Sequence, residues 1–410
     1  MRRIAIVTIL AATLLLAGAC KPKTKLFDPA AVNFEAAYNP VFDGQLYPSV
    51  VLALAGSDPA SPDQNLFSVS LTSPRDGAVL RVVIDSSNLN YVTIFQEVLP
   101  HRGERYTFNP SVKWKYDNLY RTRQQGFIDL TFTCYINDEE VDLKNLRLNY
   151  RSVNECPLSL AAGSQTHNFR WLFSAYVNEE HPYIDQILTD ILNQGNVNRF
   201  VGYQSGEKAV REQVFAIWYY ALSRGITYSS ISCTANPSRK ANVQHIRFFD
   251  EVYNNKQANC VDACVFFASI MRKIGLKPVI FVEPCHAYLG YYTDKNRRHL
   301  AFLETTITSW VNFPEMEKSL DADGRLPQEE LDKAAKYLTE AQIEQYKSGR
   351  MTFEQLRTEL ARQLFDRASA YNDETYRANR EHFADTTQSL YQQLDIELLR
   401  KQVQPISATL

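Results

Sequence analysis

Apolar and polar positions alternate with a period of two through the first third of the chain: Phe67, Val69 and Leu71; Leu80, Val82 and Ile84; Ile128, Leu130, Phe132, Cys134 and Ile136. Successive side chains on a strand point to opposite faces, so each run predicts a strand with one buried face. Ser-Pro, Asp-Gly and Asn-Asp pairs punctuate the runs, and the set predicts a β-sandwich over 36–160. From Asn168 the spacing becomes helical, through Trp171 to Phe173, then Ile184, Ile187, Leu188, Ile191 and Leu192, then Val214 to Leu222. Phe266, Phe267, Ile270, Met271 and Ile274 form another such stripe, predicting a helix that opens at Cys260 and stops at Gly275. Pro278 then starts a β-rich stretch. Val279 to Val282 and His286 to Tyr292 are followed by turn residues Thr293 to Arg297 and a strand His299 to Glu304. Beyond Trp310 the chain is rich in Glu, Gln, Arg and Leu. Thr352-Phe-Glu-Gln355 has the form of a capping box ahead of Leu356, Leu360 and Leu364, so 313–410 reads as a helical extension. The expected class is α+β.

Composition narrows the function. With 410 residues, 45% hydrophobic and 12% aromatic, burial can sustain two or three domains. A net charge of −2 with no basic cluster leaves no footprint for nucleic acid. Met1-Arg-Arg is a short basic region, Ala5 to Leu16 an apolar run too short to span a bilayer, and Ala17-Gly-Ala19 a small-residue approach to Cys20. Together they read as a secretory signal over 1–19. Polar, proline-punctuated residues from Lys21 onward read as a tether over 20–35.

The candidate chemistry lies in the middle of the chain. A cysteine in the first turn of a helix faces unpaired N–H groups and the positive end of the dipole, which favour a negative charge. Cys260 holds that place, while Cys264, a turn further in, reads as packing. If the strands after Cys285 form a hairpin centred on Lys295, His286 and Glu304 stand directly opposite each other, within reach of a hydrogen bond. Thiol, imidazole and carboxylate make a nucleophile, base and orienter, the set that acyl transfer needs. The Cys260 N–H, with Gln257 or Tyr228, is the candidate oxyanion site, and Arg199 to Glu207 a candidate loop beside it. The same residue types admit other readings. Cys260, Cys264, Cys285 and His286 also suit zinc, although Cys285 and His286 point to opposite strand faces. A disulfide from Cys285 to Cys260 or Cys264 would make the trio structural, and a degenerate trio would leave only a scaffold.

Ala258-Asn-Cys260-Val-Asp262, Ala268, Arg272-Lys-Ile-Gly275, His286-Ala-Tyr288 and Leu303-Glu304-Thr305-Thr306 resemble the transglutaminase-like superfamily over about residues 205–310. Gln213 to Tyr228 is similar to the helix that precedes the nucleophile in those proteins. The sequence departs from the usual pattern at Ala258, where a glycine is common, and at Glu304, where an aspartate followed by proline is common. The resemblance implies a papain-like core over 165–312 with Cys260, His286 and Glu304 as catalytic triad; the calcium that some animal relatives require has no supporting acidic loop in this sequence, so no cofactor and no metal are expected. The leader resembles a bacterial lipoprotein signal, which implies a lipid on Cys20 and a place in the cell envelope facing the periplasm or cell surface. The expected activity is acyl transfer to an amine, or hydrolysis, at peptide or amide bonds of an envelope peptide or protein. A catalytically inactive lipoprotein that uses the fold for binding is the alternative.

Overall fold

The computed structural model describes residues 27–55, 65–230 and 240–407. The leader, Cys20, the first part of the tether and Cys233 lie outside the described residues. The described part of the tether is folded. Pro29–Val32 is a turn capped by Asp28, whose carboxylate accepts from the Ala30 N–H, and Val32 and Phe34 are buried.

Alternating patterns do become strands, with every second residue buried in Phe67–Thr72 and Ala78–Ile84. A three-stranded sheet has Phe67–Thr72 between Glu35–Tyr38 and Arg105–Phe108. A five-stranded sheet runs in the order Gln45–Leu46, Glu139–Tyr150, Gly126–Ile136, Ala78–Ile84, Thr93–Leu99. The two share a core through Phe67, whose ring meets that of Phe132 edge-on at 5.2 Å. Asn137 and Asp138 both take positive φ between Ile136 and Glu139. That is the two-residue turn whose twist matches a hairpin.

The expected boundary near residue 160 falls inside a sheet. Glu155–Ala162 pairs with Gln165–Asn168 on one side and with Ala241–His245, from far downstream, on the other. This pairing stitches the β-rich part to the C-terminal half of the chain.

The remainder is built on a four-stranded antiparallel sheet in the order Leu300–Leu303, His286–Tyr292, Pro278–Glu283, Gln392–Asp395. Helix Cys260–Lys273 lies on it, with eleven of its residues buried. Helix Gly206–Arg224 packs alongside, its Trp218 indole 6.2 Å from both the Phe267 and the Phe365 rings. Phe365 belongs to a helix spanning Phe353–Ala384, which starts at the expected capping box of Thr352 and Gln355. It continues unbroken through Tyr371 to Asp373.

Residues 313–410 therefore do more than extend the molecule by helices. They supply the fourth strand, in register with Val279 to Val282, and a helix that covers Leu300–Leu303. Gln392-Gln-Leu-Asp395 carries no apolar alternation, so nothing in its composition announces a strand. Two other expectations shift. Leu289 pairs with Leu303 and Tyr291 with Ala301, so the hairpin turns about Asn296 rather than Lys295. The loop Arg199 to Glu207 lies at the far end of this hairpin from His286. Its Tyr203 hydroxyl accepts from the Lys277 N–H at 2.9 Å and donates to the Tyr292 carbonyl at 3.2 Å.

Arg400 fastens the returning segment to the core. Its guanidinium donates to the carbonyls of Ser174, at 2.7 Å, and Val177, and pairs with Glu179 at 2.9 Å. Glu179 also takes Arg272, at the end of the Cys260 helix, at 2.8 Å. Removing one member of a largely buried, hydrogen-bonded pair strands the rest. Arg400→Ala is expected to lower the unfolding free energy by about 2 kcal/mol, measured by urea denaturation against the wild type.

Candidate active site

The start of the Cys260 helix is fixed by its neighbours. Asn259 is the N-cap; its side chain accepts from the Asp262 N–H at 2.9 Å, and Asp262 accepts in return from the Asn259 N–H at 3.0 Å. This reciprocal box satisfies two orphan donors of the first turn. Asp262 is fully buried and also holds the Arg247 backbone N–H and guanidinium, each at 2.8 Å. At the other end Gly275 adopts φ +79°, with Gly275 N–H bonded to Arg272 and Leu276 N–H to Met271. Those two bonds form the Schellman closure that the sequence expects of this glycine. Cys260 is thus held at the first position of a helix locked at both ends, half-buried, its thiol free. Cys264 is wholly buried near the Thr305 hydroxyl, 3.9 Å away, and burial pushes its thiol far above the ordinary value.

His286 opens its strand immediately after a two-residue turn, Pro284-Cys285, closed by the pairing of Glu283 with His286. Cys285 sits at φ +64° with its free thiol exposed. Proline first and a left-handed residue second are the features of a type II turn. Cys134, Cys156, Cys260, Cys264 and Cys285 are all unpaired thiols, so the disulfide alternatives raised for Cys260 do not occur.

The imidazole and the carboxylate meet although they are not directly opposed. Continuing the hairpin register sets Glu304 across from Tyr288, two residues beyond His286, a diagonal separation of roughly 7–8 Å between backbones. The length of a glutamate spans it, and His286 Nε2 lies 2.9 Å from Glu304 Oε2. The other oxygen, Oε1, accepts from the Thr306 N–H at 3.0 Å and from its hydroxyl at 2.6 Å. The Glu304 N–H donates to the Ala368 carbonyl of the long helix at 3.0 Å. Glu304 is 3% exposed, so nearly all its solvation comes from these partners.

The Cys260 side chain also acts on the His286 ring, as a hydrogen-bonding and negatively charged neighbour. Burial by itself would lower the imidazole pKa, but Cys260 and Glu304 more than reverse this and raise it to about 10. Burial likewise pushes Glu304 up, and the contacts from His286 and Thr306 outweigh it, holding the carboxyl below its usual range. Cys260, His286 and Glu304 therefore form a continuous line from a helix terminus across two strands.

The two nominated oxyanion side chains part company. Thr227–Tyr228 runs parallel to Gln257–Ala258, pairing Tyr228 with Ala258 just ahead of the nucleophile. The Tyr228 phenol is raised by burial first and then by the negative charges of Cys260 and Glu304, which marks it as a neighbour of the triad. Gln257 is exposed on this ladder, and among the described residues no hydrogen bond ties its carboxamide to the triad. Sequence reasoning missed Asn259, Arg247 and Thr306. Asn-x-x-Asp is a readable capping signal; Arg247, held across the fold, leaves none. A cavity of about 300 Å³ adjoins the base, lined by His286, Glu304, Thr306, Ile307, Trp310 and Tyr371. No family model matches the chain, and no curated protein matches it.

The raised His286 has a pH signature. A group whose folded pKa exceeds its unfolded value of about 6.5 adds stability that is complete below that pH and disappears as pH climbs through about 10. Glu304, lowered in the fold, adds stability that is present above about pH 4.3 and is lost as pH falls below it. The stability gap between wild type and His286→Gln should accordingly narrow from pH 7 to pH 10.5 in denaturant titrations.

Proposed function

We propose that this chain is an envelope-anchored, transglutaminase-like cysteine enzyme that hydrolyses or transfers acyl groups at peptide or amide bonds. The observation that carries the reading is the free Cys260 thiol at a helix start, against an imidazole which a buried carboxylate holds at 2.9 Å. In this reading Cys260 thiolate attacks the carbonyl carbon and the tetrahedral oxyanion forms. His286, as imidazolium, gives its proton to the leaving amine as the C–N bond breaks and the thioester remains. Imidazole then takes a proton from water or an incoming amine as that molecule attacks. The C–S bond breaks, and thiolate and imidazolium return. Glu304 acts on the carbonyl only through His286, whose orientation and charge it supports.

The Cys260 backbone N–H and the Tyr228 hydroxyl are the oxyanion donors of this proposal. Tyr228, with its pKa raised, keeps the proton it must donate. The helix, sheet and triad belong to a papain-like core of the transglutaminase type, with the two N-terminal sheets as a sandwich-like spacer or docking module. A lipid on Cys20 would place the site on a membrane surface in the bacterial envelope. Hydrolysis is favoured over amine transfer by analogy with bacterial members of the superfamily. The reading is supported over an inert scaffold by the free Cys260 thiol and by the joint action of Cys260 and Glu304 on His286.

The test is the pH profile of Cys260 alkylation by iodoacetamide, read at the Cys260 peptide by mass spectrometry because Cys285 is also exposed. Rapid labelling at pH 6 that slows at least tenfold in His286→Ala is the expected result, since imidazolium stabilises the thiolate. Labelling that rises only near pH 8.5 in both proteins, as for an ordinary thiol, would overturn the enzyme.

A further inference from the structure

The cavity beside the triad is lined by two exposed aromatic rings. Trp310 is 48% exposed and Tyr371 59%, two large rings in the lining of a site that already contains the His286 imidazole. Trp310 ends the turn Thr305–Trp310, whose first residues are capped by the Glu304 side chain, so the carboxylate that orients His286 also sets the indole. The indole is stacked on the Tyr337 ring at 5.5 Å and 23°, and the Arg367 guanidinium lies over Tyr337 at 5.7 Å. The indole remains about half exposed, which leaves surface for a ligand. Ile307 lines the same space, and the only charged groups in the lining, His286 and Glu304, are bonded to each other. An aromatic-walled pocket whose two charged groups are paired with each other selects an apolar planar group, by burial and by ring stacking.

Its position says which side of the bond that group is on. The lining includes His286, so the pocket adjoins the residue that exchanges protons with the amine. We infer that Trp310 and Tyr371 form a subsite for an aromatic residue on the amine side of the bond, the leaving residue in cleavage and the incoming one in transfer. The inference rests on the triad reading above. It goes beyond that reading by giving the substrate a chemistry: an acyl group joined to the nitrogen of an aromatic amino acid.

The test uses an activated ester, so that acylation does not depend on the subsite. With p-nitrophenyl acetate, the Cys260 thiolate attacks the carbonyl and p-nitrophenol leaves with the His286 proton. An added amine R–NH2 then gives a proton to imidazole as its nitrogen bonds the acetyl carbon, the C–S bond breaks, and N-acetyl amine departs. Phenylalaninamide, tryptophanamide, aspartic acid amide, lysinamide and glycinamide serve as acceptors, and each reaction is corrected with a Cys260→Ala blank. The readout is the ratio of N-acetyl amine to acetate, which is independent of the acylation rate. The aromatic amides should give ratios at least tenfold above glycinamide. Trp310→Ala should reduce that preference to near unity, while Trp310→Phe and Tyr371→Phe retain most of it. A p-nitrophenol burst with the same ratio for all five amines, or an aromatic preference untouched in Trp310→Ala and Tyr371→Ala, overturns the subsite and leaves the enzyme standing. Absence of any Cys260-dependent burst overturns the enzyme, and the subsite with it.

Discussion

A carboxylate 3% exposed to solvent is costly unless donors on both oxygens replace its lost hydration. Glu304 meets that condition with three: His286 on one oxygen, and the Thr306 N–H and hydroxyl on the other. The same residue's N–H ends on the Ala368 carbonyl. Three parts of the molecule thus converge on one residue: the strand bearing His286 and the turn that leads to Trp310 on its side chain, and the long helix on its backbone. Satisfying this buried charge fixes the imidazole, and the imidazole faces the thiol. The geometry of the site is the solution to a solvation problem at position 304.

The helix that carries Cys260 was legible because each of its signals is local. A stripe of apolar residues, a glycine in the αL position and a cysteine in the first turn act within a few residues, and the structure keeps them all. His286 and Glu304 were legible as a pair but not in their register. The turn is shifted by one residue, a diagonal contact replaces a direct one, and the longer glutamate side chain compensates. Parity survived: a hairpin centred one residue along slips every pairing by two, so both groups stay on the same face.

What the sequence concealed is non-local. Gln392–Asp395 has neither β-branched residues nor alternation, yet it pairs with Val279 to Val282, because the edge of an existing sheet offers unpaired N–H and C=O groups to any chain brought alongside. Ala241–His245 does the same for Glu155–Ala162. Arg247, Arg400 and Ala368 owe their roles to position in the fold, and their own neighbourhoods carry no mark of it. The division into sandwich, core and extension follows composition faithfully. Hydrogen bonding crosses each of those borders.

The order of the strands along the chain has a consequence for the making of the protein. Thiol, imidazole and carboxylate are all synthesised before the long helix that receives the Glu304 N–H and before strand Gln392–Asp395 that borders Pro278–Glu283. A nascent chain caught between those points carries all three reactive groups without the wall that aligns them. The three groups are therefore brought into alignment last, when the downstream helix and strand dock against the strands that precede them.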